Sequence, residues 1–142
     1  MADGSKLGRT IPALPCRDVA ASVVFYNERL GFDTRHHDGG FAVLMRDDAI
    51  VHLWESSDET WRTRGDMLER PICSGAESFI SGTASCRIEV EGIDELYGEL
   101  SARDVLHPVS RDGVNDTDYG TREFATLDLD GNLVTFYLLV SQ

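Results

Sequence analysis

Cysteine is scarce in this chain. There are three, Cys16, Cys73 and Cys86, odd in number and without a CxxC pair. That pattern fits reduced thiols in the cytoplasm better than a disulfide framework. Long apolar runs are missing too. None approaches the roughly 20 residues a bilayer span requires. No basic N-terminal stretch leads into a long apolar one, so no signal peptide is expected. Positive charge is thin, with 13 Lys and Arg against 25 Asp and Glu and a net charge of −12. Such a surface repels nucleic acid and anionic membrane, so neither is an expected partner, and it attracts cationic small molecules. No Gly-rich phosphate loop is present, and no Ser-His-Asp or Cys-His set suggests itself.

What remains is the profile of a soluble globular protein, 42% hydrophobic and 27% charged. At 142 residues it is one domain, or two small modules sharing a core. The clearest local signal is a β-hairpin. Arg122 to Leu129 is rich in β-formers, Asp130-Gly131-Asn132 is turn chemistry, and Leu133 to Val140 is almost continuously apolar. A weaker copy lies earlier, with strands Phe41 to Arg46 and Ala49 to Glu55 around Asp47-Asp48. Upstream of that copy stand a short strand, Thr10 to Cys16, and a helix, Val19 to Leu30, opened by Asp18 and closed by Gly31. A strand over Phe32 to His37 follows. Pro12 and Pro15 remove ladder donors, so the first strand should be terminal or at an edge. The order repeats from residue 83: strand Thr83 to Val90, amphipathic helix Ile93 to Ala102, strand Val105 to Val109, a turn-rich loop from Arg111 to Asp118, then the hairpin. Two βαβββ units make an internal repeat, and the fold class expected is α+β. The expected organisation is one domain over 1–142, with module one at 10–55, a connecting lid loop at 56–82 and module two at 83–140. A loop of that length inside a compact domain reads as a lid, binding loop or linker.

With the repeat in view, LPCRDVAASVVFYNERLGF, CRIEVEGIDELYGEL and YGTREFATLDLDGNLVTFY resemble the vicinal oxygen chelate superfamily, in which curled sheets form a cup. The segments Arg46-Asp47-Asp48, Gly92-Ile93-Asp94-Glu95-Leu96-Tyr97 and Arg122-Glu123-Phe124 are most similar to bleomycin resistance proteins. That resemblance implies a homodimer that sequesters a drug without modifying it. Pro12 matches a hinge proline in those proteins, which implies a domain-swapped dimer with Thr10 to Ala13 in the neighbour's sheet. Enzymes of the superfamily hold a divalent metal in the cup, and the corresponding positions here are Ile11, His52, Ser85 and Thr135. Ile11 has no donor atom, and the Ser and Thr hydroxyls are poor ligands for a dication. No metal and no other cofactor is therefore expected, and no catalytic residue is assigned. The alternative is a glyoxalase- or dioxygenase-like enzyme of the same superfamily with an unusual or absent metal site.

The expected ligand is a small antibiotic, flat or extended and cationic, lying in a groove lined by Phe41, His52, Trp54, Trp61, Arg87 and Tyr119. Aromatic rings supply stacking faces. By resemblance Phe41 stacks on a flat heteroaromatic tail, Tyr119 lies near a stacking tryptophan, His36 stands for a Phe and Arg87 for a Trp. His52 reads first as a hydrogen-bonded, partly buried strand histidine, next as a ligand contact and last as a metal ligand. His36 and His37 should face opposite sides of their strand, and Phe32 reads as core. His107 is expected at the surface or groove. Asp58, Glu59, Asp66, Asp116 and Asp118 fall around the expected cup mouth, where solvated loop acids are the simpler account. Cys16 and Cys86 read as small buried apolar residues.

Overall fold

The computed structural model describes residues 4–56, 65, 66, 68, 69, 71, 76 and 80–140. The lid expectation, including Trp61, Asp58, Glu59 and Cys73, falls largely outside the described residues.

The elements are β1 (Ala13–Cys16), α1 (Val19–Phe25), β2 (Asp33–His37), β3 (Phe41–Arg46), β4 (Ala49–Glu55), β5 (Ser85–Glu89), α2 (Ile93–Ser101), β6 (Asn115–Asp116), β7 (Thr121–Leu127) and β8 (Leu133–Leu139). They form two four-stranded mixed sheets, ordered β1-β4-β3-β2 and β5-β8-β7-β6. In each, the first strand of the unit lies parallel to the last and the rest are antiparallel. The internal repeat is therefore real at the level of topology.

Local chemistry explains the boundaries. Asp18 accepts the Ala21 N–H at 3.1 Å and opens α1. The helix continues as a π turn, Tyr26–Leu30, and stops at Gly31 with φ +77. A side chain at Gly31 would put Cβ 2.7 Å from Arg46 Nη1, a second reason for glycine there. β1 starts three residues later than expected. Pro12 has no N–H to give, although its carbonyl accepts the His52 amide at 3.0 Å.

One expectation fails. Val105 to Val109 is not a strand. Leu106 makes an isolated bridge to Thr126, and the chain then enters a 3₁₀ turn, Pro108–Ser110. Pro108 sits at the turn's first position, where a missing N–H costs nothing, and His107 Nδ1 accepts the Val109 N–H at 3.0 Å. His107 is a cap. The edge position of the second sheet falls to β6, within the stretch expected to be loop, and β6 is only two residues long.

Strand alternation sorts the side chains. Leu44, Val51 and Leu53 are fully buried on the face of the first sheet that joins the core, as are Val134 and Phe124 on the second. With Val19 and Val23 on α1, Tyr26 and Leu30 on the π turn that follows it, and Ile93, Leu96 and Leu100 on α2, they form one continuous cluster across both units. Polar ties reinforce it. Arg46 pairs with Glu99 of α2 through bonds of 2.9 and 2.8 Å. The buried Tyr26 hydroxyl donates to Asp128 Oδ2 at 2.9 Å. Asn132 donates to the Pro15 carbonyl at 2.8 Å and accepts the Gly82 and Ala84 amides at 3.0 and 3.2 Å.

Gly82 has φ +85, and a Cβ there would meet the Asp130 carbonyl oxygen at 2.6 Å. Gly82→Ala should lose about 1.5 kcal/mol of stability, read by urea denaturation, because left-handed strain and a backbone clash act together. An unchanged midpoint would show that this backbone relaxes freely. Among the described residues, no helix is long and apolar enough to cross a membrane.

Candidate functional site

The face of each sheet turned away from the core carries the candidate residues, in two separate groups. On the first sheet, Phe41 pairs with Trp54 and Val43 with His52 in the β3–β4 register, while His36 of β2 pairs with Val43 from the other side. Period two brings these side chains to one face. The Phe41 ring lies 4.4 Å from Trp54, 5.1 Å from His52 edge-on, and 5.6 Å from His36. Phe41, Trp54 and His52 are all half-buried. Burial holds the His52 imidazole below its usual pKa, so the ring is neutral at neutral pH. His36 is bonded to Asp38 at 3.1 Å. His37 pairs with Ala42, on the opposite face, as alternation requires. Phe32 is buried against Tyr26, in the core.

On the second sheet the centre is a residue that sequence reasoning did not single out as a site residue, Glu123. Its carboxylate accepts Arg87 Nη2 at 2.6 Å, the Thr121 hydroxyl at 2.9 Å and the Tyr119 hydroxyl at 3.2 Å. The Arg87 guanidinium also lies 5.0 Å from the centre of the Tyr137 ring. Arg87 is therefore not a bare cation on this face. Its bond, with support from Thr121 and Tyr119, holds the Glu123 carboxyl below the ordinary glutamate range. Tyr119 itself is 63% exposed and reaches the cluster only through its hydroxyl. Alternation in β7 and β8 could have found Glu123 and Tyr137, since they are cross-strand partners. Their pairing with Arg87 depends on the β5–β8 register.

A group whose folded pKa is depressed adds stability above its ordinary value and loses it as pH falls through the folded one. Glu123→Gln should therefore melt below the parent at pH 7. The gap should close as pH drops below 4.5, the ordinary glutamate value. A gap that persists at low pH would mean that geometry, not charge, sets the role of Glu123.

The parallel partner of His52 is Ala13 and that of Thr135 is Arg87, each two residues along from the Ile11 and Ser85 positions expected by resemblance. Neither register supplies a donor set for a divalent ion. Ile11 and Ala13 have no donor atom, Arg87 is a cation, Ser85 and Thr135 are hydroxyls, and only His52 is a competent ligand. The residues present do not fit the metal of the superfamily's enzymes. Among the described residues, no three of His, Cys, Asp or Glu gather in one place. Burial raises the thiol pKa of Cys16 to about 12 and of Cys86 to about 11, which disfavours the thiolate. Asp116 is taken up by Arg122 at 3.1 Å.

The Glyoxalase/Bleomycin resistance protein/Dioxygenase superfamily model matches residues 7–136. The chain belongs to this superfamily. Bleomycin resistance proteins of Geobacillus stearothermophilus and Staphylococcus aureus are each 51% identical to it over 129 residues, 91% of this chain and 95% of theirs. Among solved structures, a bleomycin-binding protein from bleomycin-producing Streptomyces verticillus, complexed with copper(II)-bleomycin, superposes with a TM-score of 0.70. It is 25% identical and covers 98% of this chain and 100% of its own. The superfamily's two-unit architecture is thus the architecture described above.

Proposed function

We propose that this protein is a non-catalytic binder that sequesters a bleomycin-type glycopeptide, or a related flat cationic natural product, and so confers resistance to it. The 51% identity to bleomycin resistance proteins over nearly the whole of both chains carries the reading. The site supports it. Phe41, Trp54 and His52 offer a half-buried aromatic face, and neither candidate face holds an activated nucleophile or a metal donor set among the described residues. The net charge of −12 favours a cationic ligand. The cytoplasm suits the free thiols of Cys16 and Cys86. In this reading residues 1–142 are one domain, with modules at 10–55 and 83–140 around the connecting 56–82.

Phe41, His52 and Trp54 on one sheet, and Arg87 and Tyr119 on the other, are the proposed contacts. A homodimer would let the first sheet of one copy face the second sheet of the other and join the two groups into one groove. Strand exchange over Thr10 to Ala13 would let the pairing of the Pro12 carbonyl and Ala13 with β4 form across the two copies. Sedimentation at micromolar concentration should give twice the chain mass, and a monomer would reject the shared groove. The function itself is tested by calorimetric titration with bleomycin. Tight binding with the drug recovered unchanged is expected, together with a rise in melting temperature. No binding, or a modified drug, overturns the proposal.

A further inference from the structure

Strand β2 is irregular at one place, and the irregularity turns a histidine. Asp33 and Thr34 pair with Met45 and Leu44, whereas His36 pairs with Val43 and His37 with Ala42. Arg35 is therefore an extra residue, a β-bulge. Ala42 and Leu44 are fully buried on the core face. Without the bulge, period two would set His36 opposite Ala42 and turn it to that face. With the bulge, His36 stands on the outer face, its ring 5.6 Å from that of Phe41. Bulges beside binding sites re-aim side chains in this way.

The turn that follows holds the imidazole. Asp38 Oδ1 accepts the Gly40 N–H at 3.0 Å, and the Asp38 N–H donates to the Phe41 carbonyl at 2.9 Å. Asp38 Oδ2 lies 3.1 Å from His36 Nε2. The Gly40 amide, with help from His36, keeps the Asp38 carboxyl below its ordinary value, so it is ionised at neutral pH and can only accept. Nε2 must then carry the proton of this contact, and in the neutral ring Nδ1 is left as an acceptor. Among the described residues nothing else bonds to the imidazole, which is 52% exposed.

We propose that His36 accepts a hydrogen bond from an N–H of the ligand, through an Nδ1 lone pair whose position Asp38 fixes by setting the tautomer. This rests on the binding function proposed above and adds a directional polar contact to the aromatic face of Phe41 and Trp54. An ammonium or amidinium N–H suits the site better than an amide, because the ionised Asp38 behind the ring strengthens the acceptor. Asp38 is a positioning residue, since it acts through His36.

The test is calorimetric titration with bleomycin at about pH 8, where an ordinary imidazole is neutral, of the parent, His36→Phe, Asp38→Asn and Asp38→Ala, with melting curves to show that each is folded. His36→Phe keeps a ring beside Phe41 and removes the acceptor, so affinity should fall about tenfold. In Asp38→Asn the Gly40 N–H still takes the oxygen, so the amide NH2 turns to His36 and donates to Nε2. The ring proton moves to Nδ1, a donor then faces the ligand's donor, and a loss of about tenfold is again expected. Asp38→Ala leaves both tautomers populated and should lose only about threefold. Imidazole nitrogen NMR should show Nε2 protonated in the parent and Nδ1 protonated in Asp38→Asn, and saturating bleomycin should shift the parent's Nδ1 resonance. Parent-like affinity in both His36→Phe and Asp38→Asn, or an Nδ1 resonance that bleomycin leaves unmoved, would overturn the proposal. Equal losses in Asp38→Asn and Asp38→Ala would also overturn it, because Asp38 would then act as a charge or a turn former. In each of these outcomes the parent still binds and the functional reading stands. Failure of the parent to bind overturns that reading together with the role of His36.

Discussion

Phe41→Ala should weaken bleomycin binding by about thirtyfold, roughly 2 kcal/mol, the cost of removing an aromatic anchor from the middle of a site. The Phe41 ring touches His36, His52 and Trp54 at once, so it is the centre of the first sheet's aromatic face. Truncating it removes a stacking surface and leaves its three neighbours without a common partner. The ring points away from the core and is only half-buried, so folding should survive the change. The measurement is calorimetric titration of parent and variant alongside their melting curves. Affinity equal to the parent's, at an unchanged melting temperature, would place the ligand elsewhere. Trp54→Ala should behave the same way, because Trp54 and Phe41 are in register and 4.4 Å apart.

The second large effect is on stability. Asn132→Ala should cost about 3 kcal/mol and lower the melting temperature by roughly 10 °C. Asn132 is fully buried. Its Oδ1 satisfies the Gly82 and Ala84 amides and its Nδ2 satisfies the Pro15 carbonyl and Asp128 Oδ2. Removing the amide strands three backbone groups on two separate segments, the Pro15 carbonyl and the Gly82 and Ala84 amides, and each unmet buried group carries a desolvation penalty of about 1–3 kcal/mol, eased in part by local relaxation. By contrast, Arg122→Ala, which breaks pairs with the exposed Asp94 and Asp116, should barely move the melting curve. If the two substitutions have similar effects, Asn132 does not tie the hairpin turn to the end of β1.

Much of this architecture was legible without coordinates, for a local reason. β3 and β4 run over Phe41–Arg46 and Ala49–Glu55, the residues expected, since β-branched and aromatic residues around an Asp-Asp turn leave little choice of boundary. Asp18 and Gly31 mark the helical segment because a cap and a left-handed glycine are properties of single residues. Val105 to Val109 misled because its apolar pattern suits a strand, whereas Pro108 and the imidazole of His107 favour a capped turn. Phe41, Trp54 and His52 were named one by one, and the β3–β4 register brings them to one face.

Periodicity and turn chemistry therefore determined the repeated units and the order of most of their elements, the strand expected over Val105 to Val109 excepted. These depend on neighbours close in sequence, whose geometry the backbone repeat dictates. Tertiary structure decided the rest. The parallel registers β1–β4 and β5–β8 join strands more than thirty residues apart, and a slip of two keeps the same face, so pattern alone could not choose between Ile11 and Ala13 or between Ser85 and Arg87. The neutralisation of Arg87 by Glu123, its seat over Tyr137, and the web that Asn132 spins between Pro15, Gly82 and Ala84 are contacts between distant segments. They form only when the two sheets have closed on one core, and no local preference encodes them.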